Sequence, residues 1–191
     1  MDGLGMVAEN EQAVGGSPLD FLTEKRELML SEVPEGWEER TVCVNRCAKV
    51  SKGGRRFSFS VLVVAGNKAG LIGYGIGKAK EVTDAVRKAS ESAKKHVYKV
   101  SLLNNTIPHT TLGVSDGGRV MLKPACHGTG VVAGGGVRAV LELAGVKDVL
   151  SKSLGSKNGV GVVCATVKAL LKMRTKQQIN ALRAAEADAL A

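Results

Sequence analysis

Four groups of residues in the 191-residue sequence are of a type and spacing that could do chemistry. Gly128, Gly130 and Ala133 fit Gly-x-Gly-x-x-Ala, with Asp148 twenty residues after Gly128. That pattern can lay a dinucleotide pyrophosphate on a helix N-terminus and hold its ribose with an acid. Its context is wrong, because Pro124 to His127 separate the glycines from the preceding expected strand and Asp148 opens a strand instead of closing one. About sixty residues remain after the motif, too few for the paired halves of a dinucleotide fold, so a small oxidoreductase using Gly128 to Ala133 stands only as the enzyme alternative, which absence of NAD binding would dismiss. Gly77-Lys78 resembles the end of a phosphate-binding loop, yet Ile72 and Ala79 stand where that motif needs its first Gly and its Ser or Thr. Cys43, Cys47, Cys126 and His127 could supply four zinc ligands, but their spacing does not suit a site, and Cys43 and Cys47, on one face of a strand, read as small buried hydrophobes. His96 closes a helix and His109 follows a proline, so neither suggests a base. No catalytic residue, metal, cofactor or small-molecule substrate is expected.

A different chemistry is written in the cations. Lys49, Lys52, Arg55 and Arg56 surround Gly53-Gly54, a hairpin tip whose glycines let backbone approach a phosphate. Gly73, Gly75, Gly77, Lys78 and Lys80 form a second cluster just before a helix at Glu81, where exposed amides would favour anions. Arg46, Lys68, Arg119 and Lys123 complete the expected nucleic-acid contacts. Residues 1–38 carry a net charge of −7, residues 39–110 carry +10 and residues 111–191 carry +6, so the body is far more basic than the overall +9 suggests. Such a field draws a polyanion, because each neutralised phosphate releases counterions. Aromatics are only 3% of residues, which favours recognition by shape and phosphate over base stacking. The strand Arg56 to Val61 weakly resembles an aromatic RNA-recognition strand, but Phe57 and Phe59 read equally well as core.

Elements must hold these groups in place. Alternation predicts strands over Arg40 to Val50 and Phe57 to Val64, then a third from Leu71 to Tyr74. Val82, Ala85, Val86, Ala89, Ala93 and Val97 fall at helical spacing. A second unit is expected to hold strands at Thr106 to Val114, Arg119 to Leu122 and Asp148 to Leu154. Its first helix stops at Gly145 and its second, capped by Asn158, reaches about Met173. The division is an acidic, largely disordered extension over 1–38 with a short helix from Pro18 to about Ser31, domains over 39–103 and 104–174, and an Ala-rich helix or tail over 175–191. No apolar run approaches the ~20 residues a membrane helix needs. No secretory signal precedes the cysteines and the N-terminus is too acidic for a transit peptide, so a reducing cytoplasm is expected.

Five ordered blocks together resemble the bacterial-type fifth protein of the small ribosomal subunit, the S-five family. They are Val44-Asn45-Arg46, Lys52 through Phe59, Gly73 through Ala79, Gly128-Thr129-Gly130 with Arg138 through Glu142, and Val149 through Ser156. The resemblance implies an α+β protein: a βββα domain similar to double-stranded-RNA-binding folds, then a small sheet with helices on one side. It implies a non-enzymatic role in the cytoplasm, in the small subunit, against small-subunit rRNA, with ribosomal proteins four and eight as neighbours. It also implies that the hairpin tip reaches RNA, and that Gly128, Thr129, Gly130 and Arg138 lie at the interface with protein four, near the mRNA entry region and decoding. The rival reading is a double-stranded-RNA module acting outside the ribosome. The chain departs from the family pattern at Ala65 to Gly70, at Asn158-Gly159, at Cys126-His127 and at Cys164, where an Arg is common.

Overall fold

The computed structural model describes residues 36–189, with side chains as far as residue 184, so the helix expected from Pro18 to Ser31 lies outside the described residues. The first sheet is antiparallel, in the order β1 (Glu38–Ser51), β2 (Gly54–Gly66), β3 (Leu71–Ala79), β4 (Val97–Lys99), with α1 (Val82–Lys95) between the last two. The second sheet contains β5 (Thr111–Ser115), β6 (Gly118–Pro124), β7 (Val131–Val132) and β8 (Val149–Ser153), in the order β5-β6-β8-β7. Helices α2 (Gly135–Ala144) and α3 (Gly159–Leu171) lie between the sheets, and α4 (Lys176–Ala189) ends the described chain.

Four layers result: α1, the first sheet, the α2–α3 pair, the second sheet. Successive residues of β2 divide between two cores as the pleat requires. Val61 and Val63 meet Ala85 and Ala89 of α1, whereas Leu62 and Val64 join the larger core, which contains Val140 and Leu141 of α2 and Val163 of α3. That larger core reaches both sheets, since Ile72 of β3 and Val120 and Leu122 of β6 belong to it.

Several expectations need correction. The third strand runs on to Ala79, so Gly73, Gly75 and Gly77 are not a loop of exposed amides but the buried inner face of a strand. A Cβ on them would come within 2.2, 2.2 and 2.1 Å of the carbonyl oxygens of Ala93, Ala89 and Ala85. Two strand residues advance roughly 6.7 Å and four helix residues about 6 Å, so three bare glycines match three helix alanines turn for turn. Val97 starts β4 instead of ending α1, which ends at Lys95 with His96 as its cap, and Val82 is 39% exposed instead of buried. The strand expected from Thr106 starts only at Thr111, because Pro108 has no N–H to offer; Thr106 makes a single bridge to Leu103. Of the two cysteines expected to be small buried hydrophobes, Cys47 is exposed and only Cys43 is partly buried.

The body is held together at the turn between β2 and β3. The backbone N–H groups of Lys68 and Gly70 donate to the Leu143 and Ala144 carbonyls, satisfying the last turn of α2. Arg40 of β1 pairs with Glu142 of α2 across this junction, and Lys68 pairs with Glu38 of β1 beside it. The Tyr74 hydroxyl lies beside Cys164 of α3, and its ring stacks on Tyr98 with centroids 6.1 Å apart. Burial first, then the Cys164 thiol, pushes the Tyr74 pKa up. The position where an Arg is common thus meets a tyrosine that links the first sheet to α3.

Candidate nucleic-acid interface

Strand β3 pairs with β2 only from Phe59 onward, so β1 and β2 continue alone from Cys47 and Ser58 to the tip at Lys52-Gly53. Five residues per strand carry this ribbon about 16 Å beyond the sheet. Every residue from Val44 to Phe57 is exposed. Lys49, Lys52, Arg55 and Arg56 lie on it and Arg46 stands at its root, and no Asp or Glu occurs between Glu39 and Glu81. Pairing register sorts them by face. Lys49 sits opposite Arg56, beside Cys47 and Ser58, and in line with Lys78 on β3 next to Ser60. Arg55 shares the other face with Val50, Phe57 and Arg46, whose guanidinium lies over the Phe57 ring at 3.8 Å. Phe57 is thus a platform for a cation and not core, while Phe59 packs against the α1 side.

The other expected contacts are placed elsewhere. Lys80 is exposed just after β3. Lys68 lies at the junction between the sheets, where Glu38 neutralises it. Arg119 and Lys123 stand on the second sheet, on its face away from α3, together with Lys152 of β8, which sequence reasoning missed. At the base of α1, Lys94 and the Ser90 hydroxyl bind Glu39; burial raises that carboxyl's pKa, and these partners outweigh it to bring it below the ordinary range.

The Gly128-Thr129-Gly130 loop is exposed, yet its amides are already used. Asp148, 4% exposed, accepts from the Gly128 N–H at 3.1 Å and the Gly130 N–H at 2.9 Å, with His127 Nδ1 at 3.3 Å on its other oxygen. The Gly130 amide foremost, with His127 and the Gly128 amide, overcomes burial and holds the Asp148 carboxyl below the usual range. A carboxylate of the chain itself therefore fills the nest that a dinucleotide phosphate would need. The residue pair that suggested a cofactor motif in sequence is a loop clamp in structure. Arg138, one turn into α2, donates to the Val131 carbonyl at 3.0 Å and approaches Glu142 at 4.0 Å. Among the described residues no group of three or more His, Cys, Asp or Glu could hold a metal, and no helix is long and apolar enough to cross a membrane.

Fold and surface together define a class: a basic α+β protein of two facing sheets whose prominent feature is a bare cationic β-ribbon. Comparison with known proteins gives the family. A model described as ribosomal protein S5, N-terminal domain, matches residues 37–101, and one described as ribosomal protein S5, C-terminal domain, matches residues 113–183. A curated relative, small ribosomal subunit protein uS5 of Salinibacter ruber (strain DSM 13855 / M31), is 53% identical over 147 residues, covering 77% of this chain and 84% of that protein. The chain belongs to the ribosomal protein S5 family. It is a structural ribosomal protein and not an enzyme, and its place of work is the cytoplasm.

Proposed function

We propose that the chain is built into the small ribosomal subunit by gripping small-subunit rRNA with the β1–β2 ribbon, and that it braces RNA helices by neutralising their phosphates. The observation that carries this reading is the ribbon itself. A two-stranded hairpin uncovered on both faces is marginal in water, and like charges directly opposite, as at Lys49 and Arg56, oppose it further. Both features make sense when an anion lies against the ribbon. Arg46, Lys49, Lys52, Arg55 and Arg56 contact phosphate, the backbone of Gly53 and Gly54 admits it closely, and Lys78 and Lys80 extend the track along β3. Phe57, with Arg46 across its ring, offers one stacking surface, so shape and charge outweigh base reading.

The Gly128-Thr129-Gly130 loop and Arg138 form the contact with ribosomal protein four, with protein eight as a second neighbour, near the mRNA entry region where the assembly influences decoding. The Asp148 clamp supports this assignment, because it holds an exposed loop in one shape without hiding it. Membership of a ribosomal family removes the reason to invoke a free double-stranded-RNA module. The test is binding of a small-subunit rRNA fragment across salt. Arg55→Ala with Arg56→Ala should weaken affinity and lower the log-log salt slope by roughly two. An unchanged slope would refute the ribbon as the RNA contact.

A further inference from the structure

The two faces of the β1–β2 ribbon differ in chemistry. On the face turned away from α1, Cys47, Lys49 and Ser51 stand beside Ser58 and Arg56, with no large apolar side chain among them. On the α1 side the pairing sets Ala48 opposite Phe57 and Val50 opposite Arg55, with Arg46 at the root. Here Phe57 is 44% exposed and Val50 is 72% exposed. The small core beneath α1 stops short of them. Strand β3, on which α1 rests, ends its pairing with β2 at Phe59, and it is Phe59 that packs with Val61, Val63 and the α1 alanines. The Arg46 guanidinium lies 3.8 Å from the centroid of the Phe57 ring and holds it in place. Ala48, directly across, contributes only a methyl group, which leaves room beside the ring.

This face asks for a ligand that is flat and apolar yet carries negative charge, because Arg46, Lys52 and Arg55 flank the ring and no carboxylate does. A nucleotide meets both demands, its base against the ring and its phosphate against the cations. An aliphatic side chain of a neighbouring protein would cover Val50 but give Arg46 and Arg55 no counter-charge. Bases within a duplex keep their faces stacked on one another, so only an unpaired base has a face to offer. We infer that Phe57 and Arg46 form a stacking site for one unpaired base of the rRNA, on the side of the ribbon opposite Lys49 and Arg56. The inference rests on the reading of the ribbon as the RNA contact, and adds that its faces differ in what they hold: phosphates on one, a base turned out of its helix on the other. Aromatic ring and guanidinium plane both stack on any base, so the site selects an unpaired nucleotide and not a particular sequence.

Binding of the full chain to a small-subunit rRNA fragment and to a fully paired RNA duplex tests this. Leucine keeps apolar bulk and loses the aromatic face, so Phe57→Leu should weaken binding to the fragment at least about five-fold and leave its log-log salt slope unchanged. Phe57→Trp should bind the fragment as well as the unsubstituted chain does, or better. On the duplex, Phe57→Leu and the unsubstituted chain should bind alike. Trp37 is the single tryptophan of the sequence, so a chain carrying Trp37→Phe with Phe57→Trp reports from the ribbon alone. Its fluorescence should be quenched by the fragment and not by the duplex, a readout that stands even if Phe57→Leu folds poorly. Undiminished binding by Phe57→Leu, a loss that carries the slope down with it, an equal loss on the duplex, or an indole the fragment does not quench would each overturn the inference. An effect of Phe57→Leu that emerges only with another ribosomal protein present would overturn it in favour of that partner. The ribbon reading is judged separately, since it stands or falls on the slope of the Arg55→Ala, Arg56→Ala chain whatever Phe57 does.

Discussion

Gly75 and Ala89 approach so closely that a Cβ on the glycine would stand 2.2 Å from the Ala89 carbonyl oxygen. Backbone cannot yield as a side-chain end can, so Gly75→Ala should destabilise the fold by about 3 kcal/mol or more. Gly53→Ala, whose Cβ meets nothing within 4 Å, should stay within roughly 0.5 kcal/mol. Chemical denaturation of both variants checks the contrast; equal losses would show that α1 does not rest on the glycine face.

Lys49 and Arg56 make a trade between folding and binding measurable. Lys49→Thr relieves a like-charge pair and favours the strand, so it should raise the unfolding free energy by up to about 0.5 kcal/mol. The same change should lower the RNA salt slope by about one. A variant that is both less stable and unaltered in slope would contradict the account of the ribbon.

Asp148 sets a pH dependence. Its carboxyl is held below the ordinary range in the folded chain, so its contribution is complete above the unfolded value of about 3.9 and is lost as pH falls through the lower folded value. The melting-temperature gap between the unsubstituted chain and Asp148→Asn should be full at pH 6 to 7 and close at acid pH, below about 4. A gap that is the same at every pH would mean that the charge on Asp148 does not hold the loop.

Gly145 and Gly128 separate strain from collision. Both have positive φ, 95° and 88°, but a Cβ on Gly145 collides with the Lys68 carbonyl while one on Gly128 meets nothing. Gly128→Ala should cost about 1 kcal/mol from backbone strain alone. Gly145→Ala should cost about 2 kcal/mol more, since the turn at Lys68 must leave the end of α2. Denaturant midpoints give both values, and equal losses would dismiss the junction as a tight contact.

Local rules made much of this protein legible in sequence. Charge sign and turn chemistry found the ribbon, because Lys52 and Arg55 beside Gly53-Gly54 need only a hairpin to be exposed. Helical spacing found α1, Gly145 ended α2, and Asn158 capped α3 by accepting from Val160. The five blocks gave the family. Where sequence misled, a long-range partner had changed a local meaning. Gly73, Gly75 and Gly77 look like an anion-binding loop until a helix of alanines is laid on them. Gly128 and Gly130 fit a cofactor motif until Asp148, twenty residues later, folds back to take their amides.

Sequence alone therefore determined the net field, most of the elements and the cationic tip, each fixed by residues within one turn or one strand. Only the tertiary structure decided which side of a strand met a helix, that Lys68 was neutralised, and that Arg119, Lys123 and Lys152 share one face of the second sheet. Those outcomes depend on pairing register and on contacts between residues far apart in the chain, and a shift of one residue in register would have sent every side chain to the opposite face.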